Sequence, residues 1–414
     1  MKYRQTCGMV QKCFANMNKP FDIPILYIPF RRLNIVKQVL PSILEINPKR
    51  LYIFQDGPRD KKESKALEEV VNYIHNTVSE KNIETMFNIN KSNLGPYKGV
   101  WEAVYWLFEN EEQGIIIEED IYPSLSFFYF CEKLLKFYKN NKNVWAIVGK
   151  DVLNLENLED IYFLRTFLPP WGFATWRDRW SRLDFDLKGL REVDLPNDLD
   201  IRYKKAIYGL LNIGINNFGW DIRVDAFIKA NNGFVAHYKR NLVKHLGWED
   251  GTHYSTTNKI DEEIYEIEDV DSLQMVDGIN HYNWIDNLNI EKWKYFDRYA
   301  GLFSDTFKLN LEKILASSDS ISIYGAGFLG RIMYFIYDDI FGSKLIYFID
   351  DSSKDNNINN IPILKFEEIN NEPDTIIISI ANDYLNKSLR DKIARSYKNV
   401  KVYDIKEIMD NKIN

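Results

Sequence analysis

Short apolar runs alternate with longer segments of helical period from residue 24 to residue 148. The apolar runs fall at 25–28, 51–54, 84–89, 115–117 and 144–148. Runs of this length, bounded by turn-forming residues, predict strands. The Ile115, Ile116, Ile117 run is β-branched throughout, which suits a pleat covered on both faces. Apolar residues at helical spacing predict helices over about 34–44, 61–77, 99–109 and 124–138. Strand and helix alternating through short links is the pattern of a parallel α/β sheet.

Three of the predicted strands end in residues capable of chemistry. The first runs into Pro29-Phe30-Arg31-Arg32, the second into Gln55-Asp56-Gly57-Pro58, and the 115–117 strand into Glu118-Glu119-Asp120. Ligands of open α/β sheets sit outside the carboxyl ends of the strands. Acids at the end of a buried strand are costly unless they meet positive charge. A hard cation, Mn²⁺ or Mg²⁺, bridging these acids to a diphosphate is therefore predicted. An arginine fork suits the phosphates. The plain alternative is a solvated acidic turn.

Residues 162–253 are aromatic and irregular. They contain Leu168-Pro169-Pro170-Trp171-Gly172-Phe173, a polar stretch at 190–200 read as a loop, and a helix over about 220–231 that opens with Trp220-Asp221. Short strands at 233–237 and 241–246 lead to Gly251-Thr252-His253. Inverting sugar transfer needs a carboxylate to take the acceptor proton, and Asp221 is the candidate. Its alternative role is to complement the helix dipole. His237 and His245 read as structural, and Trp101, Trp106, Trp176 and Trp180 as core; Trp171 or Trp220 is available to stack a sugar. Residues 255–290 lose periodicity and turn acidic, as a linker or surface wrap would.

A second α/β unit begins at Ile321. Gly325-Ala326-Gly327-Phe328-Leu329-Gly330 follows a strand and opens a helix, and a second strand ends in Asp350-Asp351 about 20 residues later. Three occupants fit that pattern: a nucleotide or nucleotide-sugar on Gly325, Gly327 and Gly330; NAD with Asp350 on the ribose; or none, the unit serving for docking. Roughly 100 residues are too few for a full dehydrogenase with its own substrate domain.

Composition narrows the classes. The net charge is −7 with Lys and Arg spread throughout, which argues against a nucleic-acid partner. Cys7, Cys13 and Cys131 form neither a paired framework nor a metal spacing, which fits a reducing compartment. The chain has no apolar run of roughly 20 residues and no secretory signal pattern at its start. A cytoplasmic protein is expected, with peripheral membrane contact compatible.

Residues 24–254 resemble a GT-A fold glycosyltransferase of the N-acetylglucosaminyltransferase I type and its bacterial sugar-transferase relatives. Six motifs occur in the family's order. The resemblance implies Arg31 beside the phosphates, Asp56 facing the uracil, Glu118 toward the donor sugar and Asp120 on the metal. Glu119 takes the middle place of the family's acidic triplet and is expected on the donor side with Glu118. Trp171-Gly172 matches the loop beside the donor sugar, Asp221 the catalytic base, and His253 the segment closing over the nucleotide. Glu119 stands where the family has Asp, and Pro170-Trp171 replaces a glycine-containing stretch. The C-terminal unit resembles small Rossmann-like domains such as the N-terminal module of bacterial sugar O-acyltransferases.

The implied architecture is a leader (1–22), a GT-A domain (23–254), a connector (255–318) and a Rossmann-like domain (319–414). The implied activity is inverting, metal-dependent transfer of a sugar from a nucleoside diphosphate, UDP by resemblance. The acceptor would be a hydroxyl of a glycan or glycoconjugate in surface polysaccharide or glycoprotein assembly. The rivals are a sugar nucleotidyltransferase, which would need a Gly-x-Gly-Thr-Arg loop where this chain has Pro29-Phe30-Arg31-Arg32, and a nucleotide-binding scaffold without turnover.

Overall fold

The computed structural model describes residues 19–151, 159–167, 169–184, 190, 195–197, 199–213, 219–247, 263–275, 301–380 and 383–413. By contacts the chain divides into two compact units, Met1–Phe185 with Gly219–Asn283, and Asp186–Phe218 with Trp284–Asn414.

The first unit opens with β1 (Ile25–Ile28), α1 (Leu33–Glu45), β2 (Arg50–Gln55), α2 (Lys61–Ser79), β3 (Glu84–Ile89), α3 (Gly95–Asn110) and β4 (Gln113–Glu118). The alternation seen in the sequence is thus met element for element. β5 (Ile121–Pro123), α4 (Leu125–Phe137), β6 (Val144–Val148), β7 (Ile161–Leu164), β8 (Phe173–Trp176) and the single turn α5 (Arg177–Trp180) follow. Next in the chain is α6 (Ile201–Ile213), which groups with the second unit. α7 (Trp220–Ala230), β9 (Phe234–Tyr238) and β10 (Val243–His245) return to the first.

The main sheet has the order β3-β2-β1-β4-β8-β6-β9-β7. Strands β1 to β4 are mutually parallel, while β8 runs antiparallel to both β4 and β6. From β1 the chain winds outward through β2 to β3, then returns to place β4 on the other side of β1. That reversal makes the carboxyl ends of β1 and β4 a switch point, where a crevice opens in such sheets. In the register Ile28 lies opposite Glu118, so Arg32 and the acids start from neighbouring strand ends. Ile115, Ile116 and Ile117 are fully buried, each contributing about 1.5–3 kcal/mol of hydrophobic stabilisation. β5 and β10 form a separate antiparallel ribbon that sets His245 opposite Ile121.

The residues expected to wrap the surface are described over 263–275. There the Glu266 carboxylate accepts the amides of Leu125 and Ser126 at the start of α4, while Lys133 donates to the carbonyls of Val270, Asp271 and Leu273.

The second unit continues with α8 (Asp305–Ala316), β11 (Ile321–Tyr324), α9 (Phe328–Phe341), β12 (Leu345–Ile349), β13 (Asn357–Ile358), β14 (Ile361–Leu364), β15 (Thr375–Ile378), α10 (Asp383–Ser396), β16 (Lys401–Asp404) and α11 (Ile405–Met409). Its sheet order is β13-β14-β12-β11-β15-β16, parallel except for β13. α6 packs on α9, with Gly209 so near Phe335 that a Cβ there would lie 2.5 Å from its ring. The sequence reading placed 186–218 within the first domain, and the contacts differ from it over this segment. The α/β class is as expected: a large, mostly parallel sheet consistent with a GT-A-like domain, and a second α/β unit.

Candidate active site

Side chains alternate direction through the three acids that end β4. Glu118 and Asp120 are partly exposed, while Glu119 turns inward with its side chain only 6% exposed. Its Oε1 accepts the amides of Phe30 at 2.9 Å and Arg32 at 2.8 Å, and its Oε2 pairs with Arg32 Nε. Glu119 was expected at the donor; its carboxylate instead folds the β1–α1 turn around itself. An inward acid would be costly alone, and these donors offset that cost.

The turn aims Arg32 rather than Arg31. Arg32 Nη2 donates to Asp120 Oδ2 at 2.7 Å. Arg31, the expected phosphate ligand, is 45% exposed and lies 3.7 Å from Glu63, away from the acids. His245 Nε2 approaches the same Asp120 oxygen at 3.3 Å, and the Leu246 amide donates to the Asp120 carbonyl at 2.7 Å. Gly247 covers the pair so closely that a Cβ would lie 2.2 Å from Asp120 Oδ2. Burial alone would raise the Asp120 pKa, but the His245 and Arg32 contacts hold it well below the usual carboxylate range.

Glu118 behaves oppositely. Burial, then the charges of Asp120 and Asp221, push its carboxyl up to about 8, against the Arg32 charge. Glu118 thus lies within electrostatic reach of both aspartates at the end of β4. Asp221 lies in the first turn of α7, with Oδ1 accepting the Ile222 amide at 2.9 Å. Burial raises its carboxyl to about 6, opposed by those amide bonds and reinforced by Asp225.

Trp171 stacks on His245, with ring centroids 4.7 Å apart and planes 24° apart, and Lys150 Nζ lies over its ring at 5.3 Å. Gly172 adopts φ +64°, open to glycine at little cost, and a Cβ there would lie 2.9 Å from Val243. Trp220 is 6% exposed and packs with Phe167, Phe173 and Trp180, so it belongs to the core with Trp101 and Trp176 rather than to a sugar platform. His253 lies outside the described residues.

Asp56, the expected uracil partner, is engaged elsewhere. Its carboxylate accepts the amides of Gly57, Leu94 and Gly95 and the Asn93 side chain, all within 2.8–3.0 Å. It thereby caps α3, whose own N-cap residue, Leu94, offers no side-chain acceptor.

In the second unit Gly325 takes φ +109°, and a Cβ on Gly330 would lie 2.1 Å from the Gly325 carbonyl, while Gly327 faces open space. Asp350, expected on a ribose, accepts the Ala326 amide at 2.8 Å through Oδ2. Its Oδ1 accepts the Ser352 amide and hydroxyl and the Ser353 amide. This carboxylate braces the glycine turn from beneath.

Among the described residues no group of three or more His, Cys, Asp or Glu side chains is placed to hold a metal. Asp120 with His245 gives two adjoining donors, one carboxylate and one imidazole. A carboxylate and an imidazole are both donor types that an ion of the manganese class accepts. The sequence reading set His245 aside as structural. Strand alternation from Val243 could have flagged it, since both fall on one face of β10.

No family model matches the chain, and no curated protein matches it. Several solved structures bear a loose likeness. Residues 1–349 of TarS from S. aureus match at 12% identity and TM-score 0.31, over 55% of this chain and 61% of that one. Glucosyl-3-phosphoglycerate synthase from Mycobacterium tuberculosis, solved with Mn²⁺, UDP and glucosyl-3-phosphoglycerate, matches at 12% and 0.28, over 56% and 74%. 4-Diphosphocytidyl-2C-methyl-D-erythritol synthase from Anaerococcus prevotii matches at 9% and 0.31, over 57% and 95%. The chain thus spans about three-fifths of the TarS fragment. Superpositions this loose transfer neither activity nor substrate. No described helix is long and apolar enough to cross a membrane.

Proposed function

We propose that the first unit is a glycosyltransferase that moves a sugar, with inversion, from a nucleoside diphosphate to a hydroxyl of a glycan or glycoconjugate. UDP and surface-glycan assembly are the donor and setting implied by the resemblance. The observation that carries this reading is a carboxylate raised to about 6, Asp221, whose charge reaches Glu118 at the end of β4, beside the switch point of the sheet.

A base with that pKa is ionised at neutral pH and still basic enough to accept a proton as it leaves. Asp221 takes the acceptor hydroxyl proton. The new C–O bond forms at the anomeric carbon as the bond to the phosphate oxygen breaks, and the diphosphate departs with the electron pair. Glu118, its carboxyl pushed up by burial and by the neighbouring aspartates, lies on the side of the donor sugar in this reading. Asp120 and His245 would hold Mn²⁺ or Mg²⁺, which as a Lewis acid would stabilise the leaving diphosphate. Arg32, clamped by Glu119, holds Asp120 ionised and aimed.

A nucleotidyltransferase would bind a triphosphate in the loop after β1. The Phe30 and Arg32 amides of that loop are already bound by Glu119, which favours the glycosyltransferase. In the second unit, Gly325, Gly327 and Gly330 suit a nucleotide or a docking role better than NAD, because Asp350 is spent on the turn.

The test is release of nucleoside diphosphate from a panel of UDP-, GDP- and dTDP-sugars with Mn²⁺. Asp120→Ala, Asp221→Asn and a chelator serve as controls. Release from one donor, lost in Asp120→Ala and with chelator, supports the reading. Pyrophosphate release from a nucleoside triphosphate and a sugar phosphate would replace it with the nucleotidyltransferase. Failure to bind any nucleotide by calorimetry would leave the scaffold.

A further inference from the structure

One buried charged pair lies outside the chemistry above. Asp225 and Lys229, one turn apart on α7, are 3% and 1% exposed, and they pair through Asp225 Oδ2. The other oxygen, Oδ1, accepts the Thr166 hydroxyl at 2.9 Å and the Phe167 amide at 2.8 Å. Both groups lie in the strap between β7 and β8, which carries Trp171 and Gly172. The strap is also packed onto α7, since Phe167 meets Trp220 edge-on with centroids 5.9 Å apart.

A buried charged pair is expensive and seldom justified by stability, since apolar residues of the same shape do as well. What it supplies is direction. Asp225 lies four residues after Asp221, on the same face of the helix. Its two oxygens divide their work, one closing on its own helix and the other reaching the strap. We propose that Asp225 is a positioning residue for Asp221: it ties the helix bearing the base to the strap bearing Trp171, so that base and donor-side loop keep one spacing.

The functional part of this inference rests on the glycosyltransferase reading; the tether itself does not. Charged and titratable groups in electrostatic contact with Asp221 are Tyr97 on α3, Glu118 on β4 and Asp225 on α7. Asp225 is the one that lies a full turn below and raises the Asp221 carboxyl.

Two double variants separate charge from tether. Asp225→Asn with Lys229→Met removes both charges and keeps an oxygen for Thr166 and Phe167. Asp225→Ala with Lys229→Met removes the tether as well. Neither leaves a lone buried charge. Amide exchange at Phe167 should stay near wild type in the first and accelerate at least about 10-fold in the second. Carboxyl ¹³C NMR, with the Asp221 signal assigned through Asp221→Asn, should show a wild-type midpoint near about 6. That midpoint should fall by about half a unit in both variants. The plateau rate should fall about 10-fold only in the alanine variant.

Wild-type Phe167 exchange and an unmoved midpoint in the alanine variant would overturn the proposal. If that variant does not fold, Thr166→Val, which removes the hydroxyl end of the tether and keeps every charge, replaces it, and wild-type Phe167 exchange with wild-type turnover there overturns the proposal. If Asp221→Asn keeps full turnover, the reading of Asp221 as base fails while exchange still decides the tether. If Asp221→Asn is inactive and both double variants turn over as wild type, the positioning role fails alone.

Discussion

Two acids at the end of β4 have opposite tasks although they are neighbours. Glu119 is spent on Arg32 and on two backbone amides, so its removal strands two backbone donors and leaves the guanidinium with Asp120 alone. Glu119→Ala should cost about 3 kcal/mol of unfolding free energy, measured by denaturant titration, and Glu118→Ala clearly less. Equal losses would mean the clamp is not structural. Asp221 makes a second prediction. Its folded pKa, about 6, lies above the usual aspartate value, so the folded state holds the proton more tightly. Its contribution therefore favours folding at low pH and is lost as pH rises from about 4 through about 6. Asp221→Asn should be inactive, and more stable than wild type above pH 6 by on the order of 1–2 kcal/mol. The two proteins should converge below pH 4. A stability gap independent of pH would show that Asp221 is not raised. Asp120, held low, runs the other way: its contribution is present at neutral pH and is lost on acidification.

Elements follow from how far apart their partners lie in the chain. β4 and its acids were legible because three β-branched residues in a row suit one structure and the acids follow directly. α6 was not, because its apolar face has meaning only against α9, more than a hundred residues later. β7 and β8 are four residues each and lie in an aromatic stretch with no clean period, so they read as irregular. The same rule holds for the site. Asp221 was visible as a helix-opening acid, but His245 on Asp120 and Asp225 on Thr166 join residues that no local pattern connects. Asp56 was visible as a strand-end acid, but its hydrogen bonds to Leu94 and Gly95 at the start of α3 were not, since no local pattern joins residues nearly forty apart. Asp56→Ala should destabilise by about 1–2 kcal/mol through the exposed start of α3, with hydrogen exchange rising first at Leu94 and Gly95. Unchanged exchange there would return Asp56 to a purely ligand-facing role.

On the scale of the molecule, two parallel-rich sheets of different size stand in one chain, each with a reversal of strand order. In the first, Glu118 at that reversal lies within electrostatic reach of Asp120 and Asp221. In the second, the glycine turn rests on Asp350, with that carboxylate bound to the Ala326 amide and to Ser352 and Ser353. NADH fluorescence should therefore show no saturable enhancement on titration with the whole protein. A saturable rise lost in Gly327→Val would overturn this and make the second unit a redox module.

The cover over Asp120 has a consequence for engineering. The Glu118-Glu119-Asp120 triplet is short enough to look like a transplantable cassette. Its geometry nevertheless depends on a turn 90 residues upstream, a ribbon strand 125 residues downstream, and Gly247 lying where a methyl group would touch the carboxylate. Grafted into another sheet without these, the three acids would repel one another and splay into solvent. The portable unit is the whole knot of β1, β4, β5 and β10.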